Sequence, residues 1–474
     1  MIFNSISFII FFILTTIVYF LLPHRFRWLF LLAISCYFYM AFKPIYILIL
    51  AFTIIVDYFA GILMEDKPKQ ARLYLWLSII ANVGVLAIFK YYNFINENLT
   101  MLLGRFAVKN EIPYLHIILP LGLSFHTFQA MSYTIEVYRG NQKAERHFGI
   151  YSLYVMYYPQ MVAGPIERPQ NMLHQFYEKV DFDYERIVAG LKQMLWGMFK
   201  KVVIADRLTL YVDAVFNNPE HHSGISCLVA GIFFTFQMYC DFSGYTDIAL
   251  GASKVLGINL MTNFNFPLFS RSMTEYWRRW HISLSTWFSD YLFTPVITTL
   301  RNWGKTAIVF GLMLTFFTSG VWHGAGWTYI IWGLMHGLAL SYEFLTKKSR
   351  KKLFNKLPQK VNEWLSVALT FSYVTLSLII FRAATVHDAC TIVGNIFGLK
   401  KGGLFIGFAA GFVYSITLIL FLLASEINEK VYNNKYSVLY SNNAWVRRAG
   451  YVMLVLMMLM IGVFNGGQFI YFQF

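Results

Sequence analysis

Two histidines stand in settings that suit general acid–base chemistry. His323 lies in Gly320-Val-Trp322-His323-Gly324-Ala-Gly326-Trp327, a glycine-bounded stretch between two apolar runs. An imidazole titrates near neutrality and is a natural base for activating a hydroxyl. Glycines permit close backbone approach and unusual dihedrals, and Trp322 and Trp327 flank the ring. His281 lies in Glu275-Tyr-Trp-Arg278-Arg279-Trp280-His281-Ile-Ser283-Leu-Ser285. A lone histidine among aromatics is also a common structural hydrogen-bonding group. Arg278 and Arg279 suit an anionic group such as a cofactor phosphate, and equally suit snorkelling toward lipid headgroups.

A second constellation is polar residues inside an apolar run. Gln237, Asp241 and Tyr245 recur at i, i+4 and i+8, which on a helix is one stripe. Such a stripe must face a partner helix or a water-filled cavity. His336, in Gly333-Leu-Met-His336-Gly337, follows His323 by 13 residues. On a continuous helix that is about 20 Å along the axis and roughly 220° around it. The two rings then share no reacting atom unless the helix is broken, and His336 reads as packing or tunnel lining. His126, and Glu167-Arg168 in Gly164-Pro165-Ile-Glu167-Arg168-Pro169, are weaker candidates; the Pro pairs indicate a rigid turn.

Familiar soluble signatures are missing. There is no GxGxxG, P-loop, HExxH or GxSxG. The four cysteines, Cys36, Cys227, Cys240 and Cys390, include no CxxC pair, so neither a disulfide framework nor a zinc site is expected, and no metal ligand set is assigned.

The composition says what must position these groups. Of 474 residues, 57% are hydrophobic, 19% aromatic and 13% charged, against about 25% charged in soluble domains. Disorder is excluded by the hydrophobicity, and a nucleic-acid binder by the long uncharged runs, despite a net charge of +15. The chain reads as an all-α polytopic membrane protein in contact with lipid, its basic residues in loops.

Eleven candidate spans follow: 1–22, 28–42, 45–64, 73–94, 114–135, 226–251, 304–321, 327–345, 362–381, 403–425 and 450–466. Several fall short of the ~20 residues that cross hydrocarbon, so tilted or half-crossing pieces are expected. Residues 1–22 read as a retained span, since they lack a basic n-region and a cleavage site. Arg25 and Arg27, Lys67 to Arg72, Arg139 to Arg146, the run TKKSRKKLFNKLPQK (346–360), and Arg447 and Arg448 all fall on one side. That side is the cytoplasm by the positive-inside rule, which puts the N-terminus outside. The basic run is also a possible patch for acidic phospholipid or a nucleotide. Residues 146–222 and 265–300 carry too many charges for lipid and read as interfacial or re-entrant helices. No repeat or linker divides the chain, so residues 1–474 read as one integral domain.

Five strings together resemble the membrane-bound O-acyltransferase family, most closely its bacterial alginate O-acetyltransferase-like branch. They are MVAGPIERP (161–169), QMYCDFSGYTDIALG (237–251), FNFPLFSRSMTEYWRRWHISLSTWFSDYLFTPV (264–296), GVWHGAGWTYIIWGLMHG (320–337) and FIYFQF (469–474). The resemblance implies a many-helix, funnel-shaped protein of the bacterial cytoplasmic membrane, with a tunnel from a cytoplasmic acyl donor to an acceptor on the other face. It implies that His323 is the invariant catalytic histidine and His281 the second active-site position. Gln237, Asp241, Tyr245, Trp322 and His336 become tunnel or active-site support. Acetyl-CoA is the implied donor, with Arg278 and Arg279 the candidates for its phosphates. A polysaccharide hydroxyl of alginate, cellulose or peptidoglycan type is the implied acceptor, reached through an extracytoplasmic SGNH-hydrolase-like partner. Two other readings stay open: D-alanyl transfer to teichoic acid in the same family, and a transporter of polysaccharide precursors, which paired broken helices in a repeat would favour.

Overall fold

A computed structural model of the chain describes residues 1–115, 120, 122–161, 164–434 and 437–464. The string FIYFQF lies outside these, as do parts of MVAGPIERP and of the span expected at 114–135. Among the described residues all regular structure is helical. Seven helical runs are long and apolar enough to cross a bilayer: Pro44–Asp66, Pro68–Gly104, Gly224–Val255, Lys305–His323, Gln359–Arg382, Ala409–Tyr432 and Ala444–Ile461. Ile6–Leu21 is a shorter apolar helix. The run expected at 73–94 extends much further, over 37 residues. The four thiols are free, with Cys227 and Cys240 buried and Cys390 exposed.

The chain divides into two compact units. The first comprises Met1–Met194 and Thr246–Met261, the second Leu195–Tyr245 and Thr262–Phe474. In the first, α1 (Ile6–Leu21) and α2 (His24–Met40) precede α3 (Ile47–Asp66), α4 (Ala71–Leu86) and α5 (Leu123–Tyr138). Ser5 caps α1 by accepting the Phe8 N–H, and outward residues such as Ile6, Ile10 and Leu14 are exposed, as lipid-facing positions require. Helices α3, α4 and α5 pack on one another around a polar knot. Asp57 of α3 is fully buried and accepts from Ser78 Oγ (2.6 Å) and Asn82 Nδ2 (2.9 Å) of α4. Ser78 also bonds Thr134 of α5 at 3.0 Å. Thirteen of the sixteen residues of α5 are buried, so this expected span is a core helix of its unit. His126 belongs to that buried set and meets the Tyr39 ring edge-on.

The Gly164–Pro169 segment bends at Gly164 and is otherwise irregular up to Pro169, and Glu167 pins it. Its carboxylate accepts from the Met261 N–H (2.5 Å) and from Asn171 Nδ2 (2.6 Å). Burial pushes that carboxyl above its usual range against these bonds.

In the second unit, α6 (Gly224–Val255, whose last ten residues belong to the first unit) is followed by α7 (Met273–Arg279), α8 (Ile282–Phe288), α9 (Lys305–His323), α10 (Trp327–Leu345) and α11 (Gln359–Arg382). The short α7 and α8 occupy the mixed segment that the charge density excluded from lipid. Aromatic rings bind this segment to α6: Phe242 and Phe264 pack at 5.0 Å, Phe264 and Trp280 at 5.1 Å, and Tyr276 stacks on Trp280 at 5.6 Å.

Candidate active site

The α9–α10 hairpin sets the position of His323, the last residue of α9. Its helices touch backbone to backbone because two glycines face each other. A Cβ on Gly320 would stand 2.4 Å from the Tyr329 carbonyl oxygen, and one on Gly333 would stand 2.2 Å from that of Phe316. Gly324 and Gly326 are both extended at φ −164°, so no special dihedral calls for glycine there. Gly324 supplies room instead: a Cβ would lie 2.2 Å from the Tyr329 ring. His323 is 5% exposed. Its ring stands edge-on to Trp322 (4.9 Å), Trp332 (4.9 Å) and Phe381 of α11 (5.4 Å).

His281 is fully buried at the N-terminus of α8, with φ 45° and ψ 55°. Left-handed backbone is uncommon for a residue with a Cβ and marks a position the surroundings impose. Phe242 of α6 meets its ring edge-on at 4.7 Å. Trp322 reaches both histidines, 6.3 Å from His281 and 4.9 Å from His323, and the sum of those two distances bounds the separation of the imidazole centres. The fold thus brings together two residues that lie 42 apart in the chain.

Asn263, one residue before the family-like string at 264, was not among the sequence candidates. Its side-chain Oδ1 lies 3.2 Å from His281 Nδ1 and accepts from Ser283 N (3.1 Å) and Ser283 Oγ (3.0 Å). Its carbonyl accepts the Ile282 N–H at 3.0 Å.

The helix between His323 and His336 is broken at 324–326, and the chain turns back. Trp332 consequently contacts both rings, 4.9 Å from His323 and 4.7 Å from His336. His336 is itself locked. Trp277 Nε1 donates to its Nδ1 at 3.2 Å, and its Nε2 faces Ser377 Oγ at 3.1 Å, while that hydroxyl donates to the Val374 carbonyl.

The two arginines separate. Arg279 pairs with Glu275 at 2.8 Å and donates to the Asn265 carbonyl at 3.2 Å. Arg278 lines a cavity of about 410 Å³ with Trp277, Ile282, Phe316 and Ser319. Ser319 sits one turn before His323 on the same helix face, and Ile282 adjoins His281. The basic run forms a helix, Lys347–Phe354, and its Lys347, Arg350 and Lys351 line a second cavity of about 770 Å³ together with Tyr373.

The Gln237–Asp241–Tyr245 stripe is buried and faces a charge cluster. Lys201 lies 2.7 Å from both Asp206 and Asp241, with its ammonium 5.6 Å from the Tyr245 ring centre. Burial opposes the ammonium form of Lys201, but the Asp241 and Asp206 carboxylates outweigh it and hold its pKa above the ordinary value. Lys200 donates to Ser243 at 2.9 Å. Both lysines sit in a π-helical segment, Lys200–Ala205, whose wider turn is a frequent device at functional sites. Lys201 as the partner of Asp241 was not foreseen.

Comparison with known proteins agrees with this architecture. The family model described as MBOAT, membrane-bound O-acyltransferase family, matches residues 147–380. A peptidoglycan O-acetyltransferase of Helicobacter pylori is 35% identical, covering 78% of this chain and 74% of that protein. A probable alginate O-acetylase of Pseudomonas aeruginosa is 36% identical, covering 82% and 73%. A teichoic acid D-alanyltransferase of Bacillus subtilis is 29% identical, covering 56% and 69%. With relatives this similar spanning most of both chains, and with the matched region containing the buried side chains of His281, Trp322 and His323, the chain belongs to the membrane-bound O-acyltransferase family and is a multi-pass membrane O-acyltransferase.

Proposed function

We propose that this protein takes an acetyl group from acetyl-CoA on the cytoplasmic side and passes it across the membrane toward hydroxyls of an extracytoplasmic polysaccharide. The observation that carries the reading is that Trp322 contacts both His281 and His323, while Ile282 and Ser319, their neighbours on the same helices, line the cavity that Arg278 also lines. The names of the relatives support a glycan acceptor of alginate or peptidoglycan type.

In this reading His323 is the catalytic base. The attacking hydroxyl oxygen bonds to the thioester carbonyl carbon as His323 takes the hydroxyl proton. The carbon–sulfur bond then breaks, and the proton passes to the departing thiolate. His281 orients the donor or stabilises the oxyanion, and Arg278 meets the donor phosphates. An SGNH-hydrolase-like partner completes transfer on the outer face, and the chain sits in the bacterial cytoplasmic membrane with its N-terminus outside.

The test is incubation of the purified protein with radiolabelled acetyl-CoA, with and without the extracytoplasmic partner. Thiol release or transfer is expected from the wild type and is lost in His323→Ala at unchanged protein level. Full acetylation by His323→Ala overturns the reading. Similarity to the D-alanyltransferase supports one alternative donor, a D-alanyl thioester on a carrier protein. Turnover of that donor and not of acetyl-CoA selects it.

A further inference from the structure

The hydrogen bonds around Asn263 decide what His281 can do. A backbone N–H only donates, so the amide atom that faces Ser283 N at 3.1 Å must be the oxygen. Turning the amide over would set its NH₂ against that donor. The same oxygen faces His281 Nδ1 at 3.2 Å and takes the Ser283 hydroxyl at 3.0 Å. An acceptor in that position requires a donor on the ring, so Nδ1 carries the hydrogen. In a neutral imidazole the other nitrogen then holds a lone pair. Burial alone keeps the ring neutral, lowering its pKa to about 3.

We infer that Asn263 is a positioning residue that holds His281 as the Nδ1–H tautomer, so that Nε2 presents a hydrogen-bond acceptor to the N–H or O–H groups of the thioester donor. This rests on the acyl-transfer reading above and narrows it. An Nε2 without hydrogen cannot stabilise an oxyanion, which leaves His281 the task of orienting the donor. The pin is rigid for a stated reason: the Asn263 carbonyl also holds the Ile282 N–H at 3.0 Å, and His281 sits in left-handed backbone at φ 45° between these two bonds.

Two experiments test it. The first is ¹⁵N spectroscopy of the full-length protein labelled on its eleven histidines, with His281→Gln identifying the His281 signals. An Nδ1–H pattern in the wild type, lost in Asn263→Ala, is expected; an Nε2–H pattern at His281 in the wild type overturns the inference. The second measures thioester turnover. His281→Gln places an amide oxygen near the Nε2 position, whereas His281→Asn reaches only the Nδ1 position. Gln is expected to exceed Asn by about tenfold, one hydrogen bond's worth; equal or reversed rates overturn the inference. Asn263→Asp keeps the acceptor but adds charge, which favours the imidazolium, so the acid limb of its pH–rate profile moves to higher pH. An unmoved limb counts against the inference. A wild type that shows the Nδ1–H signals yet turns over neither acetyl-CoA nor a D-alanyl carrier thioester supports the tautomer and refutes the proposed donor chemistry instead.

Discussion

Trp277 donates its indole N–H to Nδ1 of His336 across 3.2 Å, and this single bond fixes which nitrogen of His336 faces Ser377. Both rings are buried. His336→Ala leaves an indole N–H unbonded and a cavity beside Trp332, and is expected to cost about 2–4 kcal/mol. Trp277→Phe leaves Nδ1 without its donor and costs about 1–3 kcal/mol. Thermal unfolding in detergent measures both. Loss of activity by His336→Ala at unchanged stability contradicts a packing role.

Lys201 stands between two carboxylates with all three side chains buried. Removing only the cation takes from both buried acids the charge that each meets at 2.7 Å. Lys201→Met is expected to lower folded yield sharply, by about 3–5 kcal/mol of stability. The triple change Lys201→Met, Asp206→Asn, Asp241→Asn recovers most of that loss. A triple variant as unstable as the single one refutes the charge argument.

The same cluster gives a pH dependence. Burial first, and then the Asp241 carboxylate, push Asp206 up to about 7 although Lys201 pulls it down. Its folded pKa exceeds the unfolded value, so its protonated form is the one that folding favours. The associated stability is present below about pH 4 and is lost as pH rises through 7. Chemical denaturation across this window shows the decline, and Asp206→Asn flattens it.

The glycine contact between α9 and α10 is testable by single methyl groups. Gly333→Ala would press Cβ against the Phe316 carbonyl at 2.2 Å, forcing the helices apart and moving His323. Activity and folded yield both fall. Gly394→Ala meets nothing within 4 Å and gains about 1 kcal/mol of helix propensity, which makes it the matched control.

The separation of the two arginines predicts separate kinetics. Arg278→Glu turns charge inside the cavity and raises KM for acetyl-CoA about tenfold or more, with kcat less affected. Arg279→Gln breaks a partly exposed pair with Glu275, whose loss costs about 1 kcal/mol or less, and leaves KM near wild type. Equal effects would remove Arg278 from the donor site.

Part of the candidate site was legible in the chain. His323 stood out because so few polar residues interrupt the apolar runs and glycines beside it allow close backbone approach, whereas His281 came from the family resemblance, its aromatic surroundings fitting a structural role equally well. The charge density at 265–300 correctly kept α7 and α8 from being read as spans. Other features were illegible for physical reasons. The stripe at Gln237, Asp241 and Tyr245 shows its period but not its partner, because Lys201 lies far away in sequence and only packing brings it close. Asn263 carries no signal of its own, being one amide in an irregular connection. Buried α5 and lipid-facing helices share the same apolar composition, so hydropathy could not separate them.

Asp57 has a consequence for how the chain is built. A carboxylate at the middle of a spanning helix costs about 2.5–3.5 kcal/mol in lipid, and α3 offsets this through Ser78 and Asn82 of α4. The connection between the two helices is just residues 67–70. During synthesis α3 is therefore a poor passenger by itself and a good one as half of a hairpin. One acidic side chain thus favours joint entry: α3 and α4 are expected to leave the insertion machinery as a pair, and Asp57→Leu is expected to let α3 enter alone.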